Sequence, residues 1–212
     1  MIPPIVLDPK KDEMVFDMCA APGSKTSQML EQIMHDYNIS NTNPKEFIKG
    51  AVVCNDMDYK RAYMLTHQVK RLNTSCMLIA NHIGQFYPTL YRNDCDAKVY
   101  DKKFYYDKVL ADVPCSGDGA IRKLPLRWKI WKCNDGLSLH CVQVALLIRA
   151  IQMTKIGGSV VYSTCSLSPI ENEAVITEVM RNVNKYCKGA LELLDVHEKM
   201  KGFKGRRGLY KW

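Results

Sequence analysis

The sequence lacks the features that mark several broad classes of protein. It has no apolar run near the roughly 20 residues of a membrane-spanning helix, and residues 1–4 have neither the basic nor the apolar region of a signal peptide. Its nine cysteines form no Cys-x-x-Cys pair and have no matching histidine spacing, which disfavours structural zinc and a disulfide framework. We therefore expect no membrane association, no metal, and a reducing intracellular compartment.

The composition is that of a globular, basic protein. The 212 residues are 47% hydrophobic and 25% charged, and this length suits a single domain over residues 1–212 with one substantial core. Thirty Lys and Arg residues against 22 Asp and Glu residues give a formal net charge of +8. A positive excess favours polyanionic partners, of which nucleic acid is the obvious candidate.

Short apolar runs alternate with helical patterns along the chain. The apolar runs predict strands at residues 14–18, 51–55, 77–80, 108–111 and 159–163. Helical spacing predicts helices at residues 24–35, 57–72, 137–154 and 169–186, with Gly157-Gly158 closing the third. Residues 37–49 predict a loop, residues 91–105 an excursion, and residues 191–196 one more strand. This alternation predicts an α/β fold with a doubly wound, mostly parallel sheet, whose ligands bind at the carboxyl ends of the strands.

Polar and small residues follow the first two predicted strands. The loop at residues 17–26 combines small residues with Gly23 before a helix, so its backbone can approach a ligand and the helix N-terminus can bind a carboxylate or a phosphate. It is not Gly-x-Gly-x-x-Gly, and it lacks the first glycine of a P-loop. Asp56 after the second strand either accepts hydrogen bonds from ribose hydroxyls or caps the next helix. Together, the loop and Asp56 favour a nucleoside cofactor.

Two cysteines follow the fourth and fifth predicted strands, Cys115 in DVPCSGDG (residues 112–119) and Cys165 in STCSLSP (residues 163–169). Strand ends of a doubly wound sheet can be neighbours, so we expect the two thiols and Asp112 to lie together. A thiolate that adds to C6 of cytosine makes C5 nucleophilic enough to accept a methyl group. A carboxyl near N3 would stabilise this adduct, and a second cysteine could help to release it. Lys25 could lower a thiol pKa, position the base, or be an ordinary solvated lysine.

These motifs resemble the Sun-domain (NSUN) RNA cytosine-5 methyltransferases, most of all their eukaryotic tRNA-modifying branch. The matching blocks are residues 1–4, residues 17–26, Asn55-Asp56 with Lys60-Arg61, His67-Gln68 with residues 70–72, residues 112–119 with Arg122-Lys123, and residues 162–176. The resemblance implies a class I, Rossmann-like fold that uses S-adenosylmethionine to methylate C5 of cytosine in RNA, with tRNA as the expected substrate. The Glu-Asn-Val signature of DNA cytosine-5 methyltransferases is absent, which disfavours DNA.

The resemblance also implies roles for individual residues. Cys165 is the expected nucleophile, Cys115 assists release of the methylated RNA, and Asp112 lies between the cofactor and the target base. Lys25 is included with these three in the catalytic group. The implied S-adenosylmethionine-binding residues are Cys19, Ala20, Ala21, Pro22, Gly23, Ser24, Lys25, Asp56, Arg61 and Asp112.

Two departures from the family pattern are visible. After the third strand the family carries Asn-His-Asp, whose Asp meets adenine, whereas this chain has Asn81-His82-Ile83. We therefore expect adenine to be held by apolar packing or by a neighbouring group. Members of the family also have RNA-binding sequence upstream of the first block, and the tRNA branch has more downstream. The chain is expected to be a catalytic core that binds RNA less well than the whole protein.

A basic and aromatic stretch follows the first cysteine motif. It predicts RNA contacts by Arg122, Lys123, Arg127 and Lys129, while Trp128 and Trp131 either stack on an extruded base or pack in the core. Two other functions stay open: a ribosomal RNA cytosine-5 methyltransferase, and a catalytically weak module that binds cofactor and RNA. We expect a monomer, located by resemblance in the nucleus or nucleolus, with the cytoplasm as the alternative.

Overall fold

The computed structural model describes residues 1–40, 47–91, 102–200 and 202–211. Its helices are α1 (Ile2–Leu7), α2 (Ser24–Ser40), α3 (Tyr59–Lys70), α4 (Arg127–Ile130), α5 (Cys133–Met153) and α6 (Glu173–Tyr186). Its strands are β1 (Met14–Asp17), β2 (Ala51–Asn55), β3 (Met77–Ala80), β4 (Tyr106–Asp112) and β5 (Thr154–Ser163). Short 3₁₀ turns lie at Gly84–Phe86, Asp118–Ala120 and His197–Met200.

The strands form one sheet in the order β3-β2-β1-β4-β5. Strand β1 pairs in parallel with both β2 and β4, and β2 pairs in parallel with β3. The strand order reverses at β1, which is the switch point where ligands of doubly wound sheets bind, outside the carboxyl ends of the strands. The predicted α/β fold with a doubly wound, mostly parallel sheet is confirmed.

The chain forms two compact units. The first contains Met1–Asp112 and Arg149–Tyr162, and the second contains Val113–Ile148 and Ser163–Trp212. Helix α5 and strand β5 each have residues in both units. The single domain expected over residues 1–212 stays a prediction.

Apolar side chains cover both faces of β1 in the first unit. Val15 is fully buried in a core cluster together with Leu30 of α2 and Leu65 of α3. Phe16 points to the opposite face, since neighbouring residues of a strand alternate. Its ring stacks on Tyr106 with centroids 5.0 Å apart. A strand that is buried on both faces has a continuous apolar sequence. This apolar run is the signal that predicted β1 from the sequence.

Most predicted elements are confirmed to within a few residues, and β2 and β3 agree at both ends. Helix α1 was not predicted. Helix α2 continues to Ser40, so the loop predicted at residues 37–49 is wrong at its start. Residues 41–46 of that loop, and residues 92–101 of the predicted excursion, lie outside the described residues.

The segment around Gly157-Gly158 differs from its prediction. Helix α5 ends at Met153 and β5 begins at Thr154, so the two glycines lie in the strand and do not close the helix. A Cβ at Gly158 would lie 2.6 Å from the backbone oxygen of Asp107, so glycine permits a close backbone approach here. The last helix begins at Glu173 rather than at residue 169, and residues 191–196 form no strand.

Helix α5 has 21 residues, and an 18-residue window of it has a mean hydropathy of 1.4. By length and composition alone it could cross a membrane, but a core helix passes the same test. Its polar side chains bond within the protein: Gln143 donates to Glu171 in the second unit, and Arg149 donates to the backbone oxygen of Tyr87 in the first.

Candidate active site

The loop between β1 and α2 is fixed by hydrogen bonds to the neighbouring strand ends. Met18 N donates to Leu110 O at 2.9 Å, and Ala20 N donates to Asn55 O at 2.8 Å. The guanidinium of Arg61 donates to Ala21 O at 2.6 Å. The residues predicted to bind the cofactor are therefore held at the carboxyl ends of β1, β2 and β4.

Gly23 is required at its position by both conformation and packing. Its φ is +103°, a value that other residues rarely adopt. A Cβ there would lie 2.7 Å from Cδ1 of Leu65 in α3. The glycine thus lets the loop pack on α3, a role that the sequence did not reveal, and its approach to a ligand stays a prediction.

Asp56 is 2% exposed, and its carboxylate contacts the loop between β1 and α2. Its Oδ2 accepts from Ala21 N at 3.2 Å, and its Oδ1 accepts from Asp58 N at 3.0 Å. The helix-cap interpretation of Asp56 is wrong, because α3 begins two residues later than that interpretation required and Asp58 caps it by accepting from Arg61 N at 2.9 Å. The contact of Asp56 with a ribose stays a prediction.

Lys25 and Asp112 form an ion pair. The Nζ of Lys25 lies 2.6 Å from Oδ2 of Asp112, and each side chain is about one quarter exposed (26% and 27%). Lys25 belongs to the first turn of α2, and Asp112 ends β4. A charge-assisted hydrogen bond of this length fixes the direction of the carboxylate, so Lys25 is not an ordinary solvated lysine.

Asp17, at the end of β1, is a buried acid that the sequence reasoning did not select. It is 1% exposed, and its Oδ2 accepts from the Thr26 hydroxyl at 2.6 Å. Its Oδ1 has no hydrogen-bond partner within the described residues. Burial raises the pKa of Asp17 to about 7. The available signal was a carboxylate that ends an otherwise apolar strand.

In the second unit the two predicted catalytic cysteines lie side by side. Their Sγ atoms are 3.2 Å apart, and Cys165 N donates to Cys115 Sγ at 3.3 Å. The pKa of the Cys115 thiol is raised above its usual value. The hydrogen bond with Cys165 is the largest cause, and burial is the second. Either sulfur can donate the hydrogen bond that joins them. Cys165 is the more exposed of the two residues, which makes it the more accessible candidate nucleophile.

The loop that carries Cys115 and the loop that carries Cys165, called the cysteine loops below, are also joined through their backbones. Gly119 N donates to Cys165 O at 3.0 Å, and Leu167 N donates to the Asp118 carboxylate at 2.9 Å. A Cβ at Gly119 would lie 2.8 Å from Cys165 O, so only glycine fits there. The juxtaposition expected from strand topology is thus present for the two thiols.

The basic stretch is solvent-facing. Arg122, Lys123 and Lys129 are exposed, and Arg127 is partly buried with its guanidinium beside Gly117. Trp128 is 75% exposed, which excludes a core position for it, whereas Trp131 is partly buried.

The Asn81-His82-Ile83 segment follows β3 and is hydrogen-bonded to residues at the end of β2. Asn81 donates to Asp56 O at 2.7 Å, and His82 N donates to the Asn55 side chain at 2.9 Å. Ile83 is 44% exposed and bears no polar group, so it cannot supply the hydrogen bond of the family Asp.

The residues that the structure describes contain no group of three His, Cys, Asp or Glu side chains able to hold a metal ion. The absence of a metal stays a prediction.

Comparisons with known proteins cover nearly the whole chain. The family model described as 16S rRNA methyltransferase RsmB/F matches residues 4–210. The chain belongs to the RsmB/F family. Within this family the chain is similar to the multisite-specific tRNA:(cytosine-C(5))-methyltransferase trm4b of Schizosaccharomyces pombe, with 42% identity over all of this chain and 32% of the relative. It is also similar to the tRNA (cytosine(34)-C(5))-methyltransferase of Drosophila melanogaster, with 44% identity over all of this chain and 27% of the relative.

The chain thus spans about one third or less of the length of each of these two relatives. Among solved structures it is similar to NSun6 from Pyrococcus horikoshii with SFG, with a TM-score of 0.65 and 27% identity over 85% of this chain and 41% of that one. The resemblance to cytosine-5 methyltransferases stated from the sequence is confirmed.

Proposed function

We propose that this chain is the catalytic core of an S-adenosylmethionine-dependent enzyme that methylates C5 of cytosine in RNA, with tRNA as its substrate. The observation that carries the proposal is the pair of thiols, Cys115 and Cys165, whose sulfur atoms are 3.2 Å apart. The names of the yeast and fly relatives, which describe tRNA cytosine-5 methyltransferases, support the choice of tRNA.

The groups at the carboxyl ends of the strands fit S-adenosylmethionine. The first turn of α2 offers N–H groups to a carboxylate, the buried carboxylate of Asp56 suits ribose hydroxyls, and half-exposed Ile83 offers an apolar contact to adenine. The similar NSun6 structure carries SFG, an analogue of this cofactor. When bound, the cofactor supplies an electrophilic methyl group.

The residues of the chain have distinct tasks in this proposal. The sulfur of Cys165 adds to C6 of cytosine, and the electron pair of the C5–C6 bond becomes available at C5 for methylation. A base then removes the C5 proton, and Cys115 assists elimination of Cys165 from C6. Asp112, held by Lys25 at 2.6 Å, stabilises the adduct at N3 of the base.

RNA binding in this proposal uses the basic side chains that follow the first cysteine loop. Arg122, Lys123, Arg127 and Lys129 contact phosphates, and the exposed ring of Trp128 is available for stacking on a base. We further propose that the protein acts as a monomer in a reducing intracellular compartment, with the nucleus or nucleolus favoured by the family resemblance.

The decisive experiment traps the covalent intermediate. Cys115→Ala protein is incubated with S-adenosylmethionine and, separately, with tRNA, ribosomal RNA and duplex DNA, and adducts are separated on a denaturing gel. We expect a stable adduct with tRNA that is absent from the Cys115→Ala/Cys165→Ala double variant and present in a Cys115→Ala/Cys141→Ala control, because Cys141 is an exposed residue outside both loops. No adduct with any nucleic acid, from protein that binds cofactor, would contradict the proposal.

A ribosomal RNA substrate is the second candidate, because the matching family model is described as a 16S rRNA methyltransferase. The same gel separates the two substrates. For either substrate, Cys165→Ala should abolish methyl transfer and leave the cofactor dissociation constant unchanged, since Cys165 lies outside the loop that follows β1.

A further inference from the structure

A buried glutamate connects the two cysteine loops of the second unit. Glu171 has no exposed surface. One carboxylate oxygen, Oε2, accepts from the hydroxyls of Ser116 and Ser166, each at 2.5 Å. The other, Oε1, accepts from Ser116 N at 2.8 Å and from the Gln143 side chain at 3.1 Å.

The two serines are the residues directly after the two cysteines. Ser116 follows Cys115, and Ser166 follows Cys165. Their hydroxyl oxygens lie 3.4 Å apart on the same carboxylate oxygen. Each serine is one peptide unit from a thiol-bearing residue, so the carboxylate fixes the distance between the two loops immediately behind the sulfur atoms.

An ionised carboxylate suits this position because it only accepts hydrogen bonds. Burial raises the pKa of Glu171, but the hydrogen bonds from Ser116 and Ser166 outweigh this effect and hold the pKa below its usual value. Both hydroxyls must therefore donate to Glu171, which sets their rotamers.

Neighbouring residues support the same arrangement. Gly136 of α5 leaves room for the carboxylate, since a Cβ there would lie 3.2 Å from Glu171 Oε2. The side chain of Asn172 donates to Ser166 O at 3.0 Å and accepts from the Thr164 hydroxyl at 2.7 Å. Glu171 and Asn172 therefore both hydrogen-bond to the Cys165 loop, Glu171 at the Ser166 hydroxyl and Asn172 at the Ser166 backbone oxygen.

We propose that Glu171 is a positioning residue that sets the separation of the Cys115 and Cys165 thiols. Its catalytic consequence rests on the proposed function, in which the two thiols cooperate, whereas its geometric consequence does not. Loss of the carboxylate should let the loops separate and should break the sulfur–sulfur hydrogen bond, while the loop after β1 keeps its own contacts.

The geometric consequence is tested without RNA or cofactor. Diamide oxidises two adjacent thiols to a disulfide and is itself reduced to a hydrazine, so the two sulfur hydrogens are accounted for. Formation of the Cys115–Cys165 disulfide is followed by peptide mass spectrometry. We expect Glu171→Gln to slow it by about tenfold or more, because a shift of about 1 Å between reacting groups has rate effects of that order or larger.

Glu173→Gln is the matched control. Glu173 lies two positions away and accepts from Leu209 N at 2.9 Å, and it bonds neither serine. The control should oxidise at the wild-type rate. If Glu171→Gln melts more than a few degrees below the wild type, Ser166→Ala takes its place, because it removes one of the two serine hydroxyl bonds and leaves the other bonds to the carboxylate.

The catalytic consequence is tested in the same variants. Glu171→Gln should lower kcat by about tenfold or more, with KM for RNA and the affinity for S-adenosylmethionine unchanged. Wild-type oxidation rates in folded Glu171→Gln and Ser166→Ala would overturn the inference. If both variants oxidise more slowly than the wild type but the wild type methylates no RNA, the positioning role of Glu171 is supported and the proposed function is contradicted.

Discussion

The buried carboxyl of Asp17 should make folding stability fall as pH rises. Asp17 is 1% exposed. Burial raises its pKa from 3.8 to about 7, and the nearby carboxylate of Asp112 raises it further, while the Thr26 hydrogen bond and the Lys25 ammonium oppose the shift. The folded protein therefore holds a proton on Asp17 over a pH range in which the unfolded chain has released it.

The direction and size of the effect follow from this difference. A carboxyl whose pKa is higher in the folded state stabilises the fold most below the unfolded pKa of 3.8, and the stabilisation is lost as pH rises through the folded pKa near 7. The slope is about 1.4 kcal/mol per pH unit for one proton, so the loss over the whole range is about 4 kcal/mol.

Replacement of Asp17 by asparagine isolates this contribution. The asparagine side chain keeps an oxygen that can accept from Thr26 and has no charge to bury. The difference in the free energy of unfolding between Asp17→Asn and the wild type, measured by urea denaturation, should grow by about 2 to 3 kcal/mol in favour of the variant from about pH 5 to about pH 8.

The matched control is Asp12→Asn, which makes the same replacement at an exposed residue. A difference for Asp17→Asn that does not change with pH would refute the reasoning, since it would mean that Asp17 ionises alike in the folded and unfolded chains.

Three further outcomes are expected. Ile83→Asp should tighten S-adenosylmethionine binding by about tenfold, the value of one hydrogen bond to a charged group; unchanged affinity by calorimetry would mean that adenine is held elsewhere. Gly119→Ala should slow formation of the Cys115–Cys165 disulfide and destabilise the fold by about 1 to 3 kcal/mol, because its methyl group would lie 2.8 Å from Cys165 O; a wild-type rate and melting temperature would contradict this. Asp58→Ala should cost about 1 kcal/mol in urea denaturation through loss of the α3 cap, whereas no loss would show that the cap is dispensable.

The sheet could be predicted from the sequence because its strands leave local signals. Val15 and Phe16 are both buried, on opposite faces, so β1 is a continuous apolar run. The boundary between α5 and β5 could not be predicted in the same way. A glycine pair after an amphipathic helix is typical of a helix end, but Gly158 is present because the backbone of Asp107 approaches it, and this contact spans about fifty positions of sequence.

The same distinction applies to the cysteines. The meeting of Cys115 and Cys165 follows from topology, because parallel strands place their carboxyl ends at one edge of a sheet. Glu171 has no such signal. In the sequence it is an acidic residue shortly after Pro169, a position typical of an exposed first helical turn. Its buried position depends on Ser116, Ser166 and Gln143, which come from separate segments and converge only in the folded chain. The pattern therefore shows which thiols meet, whereas the side chain that fixes their separation can be recognised only from the hydrogen bonds of the structure.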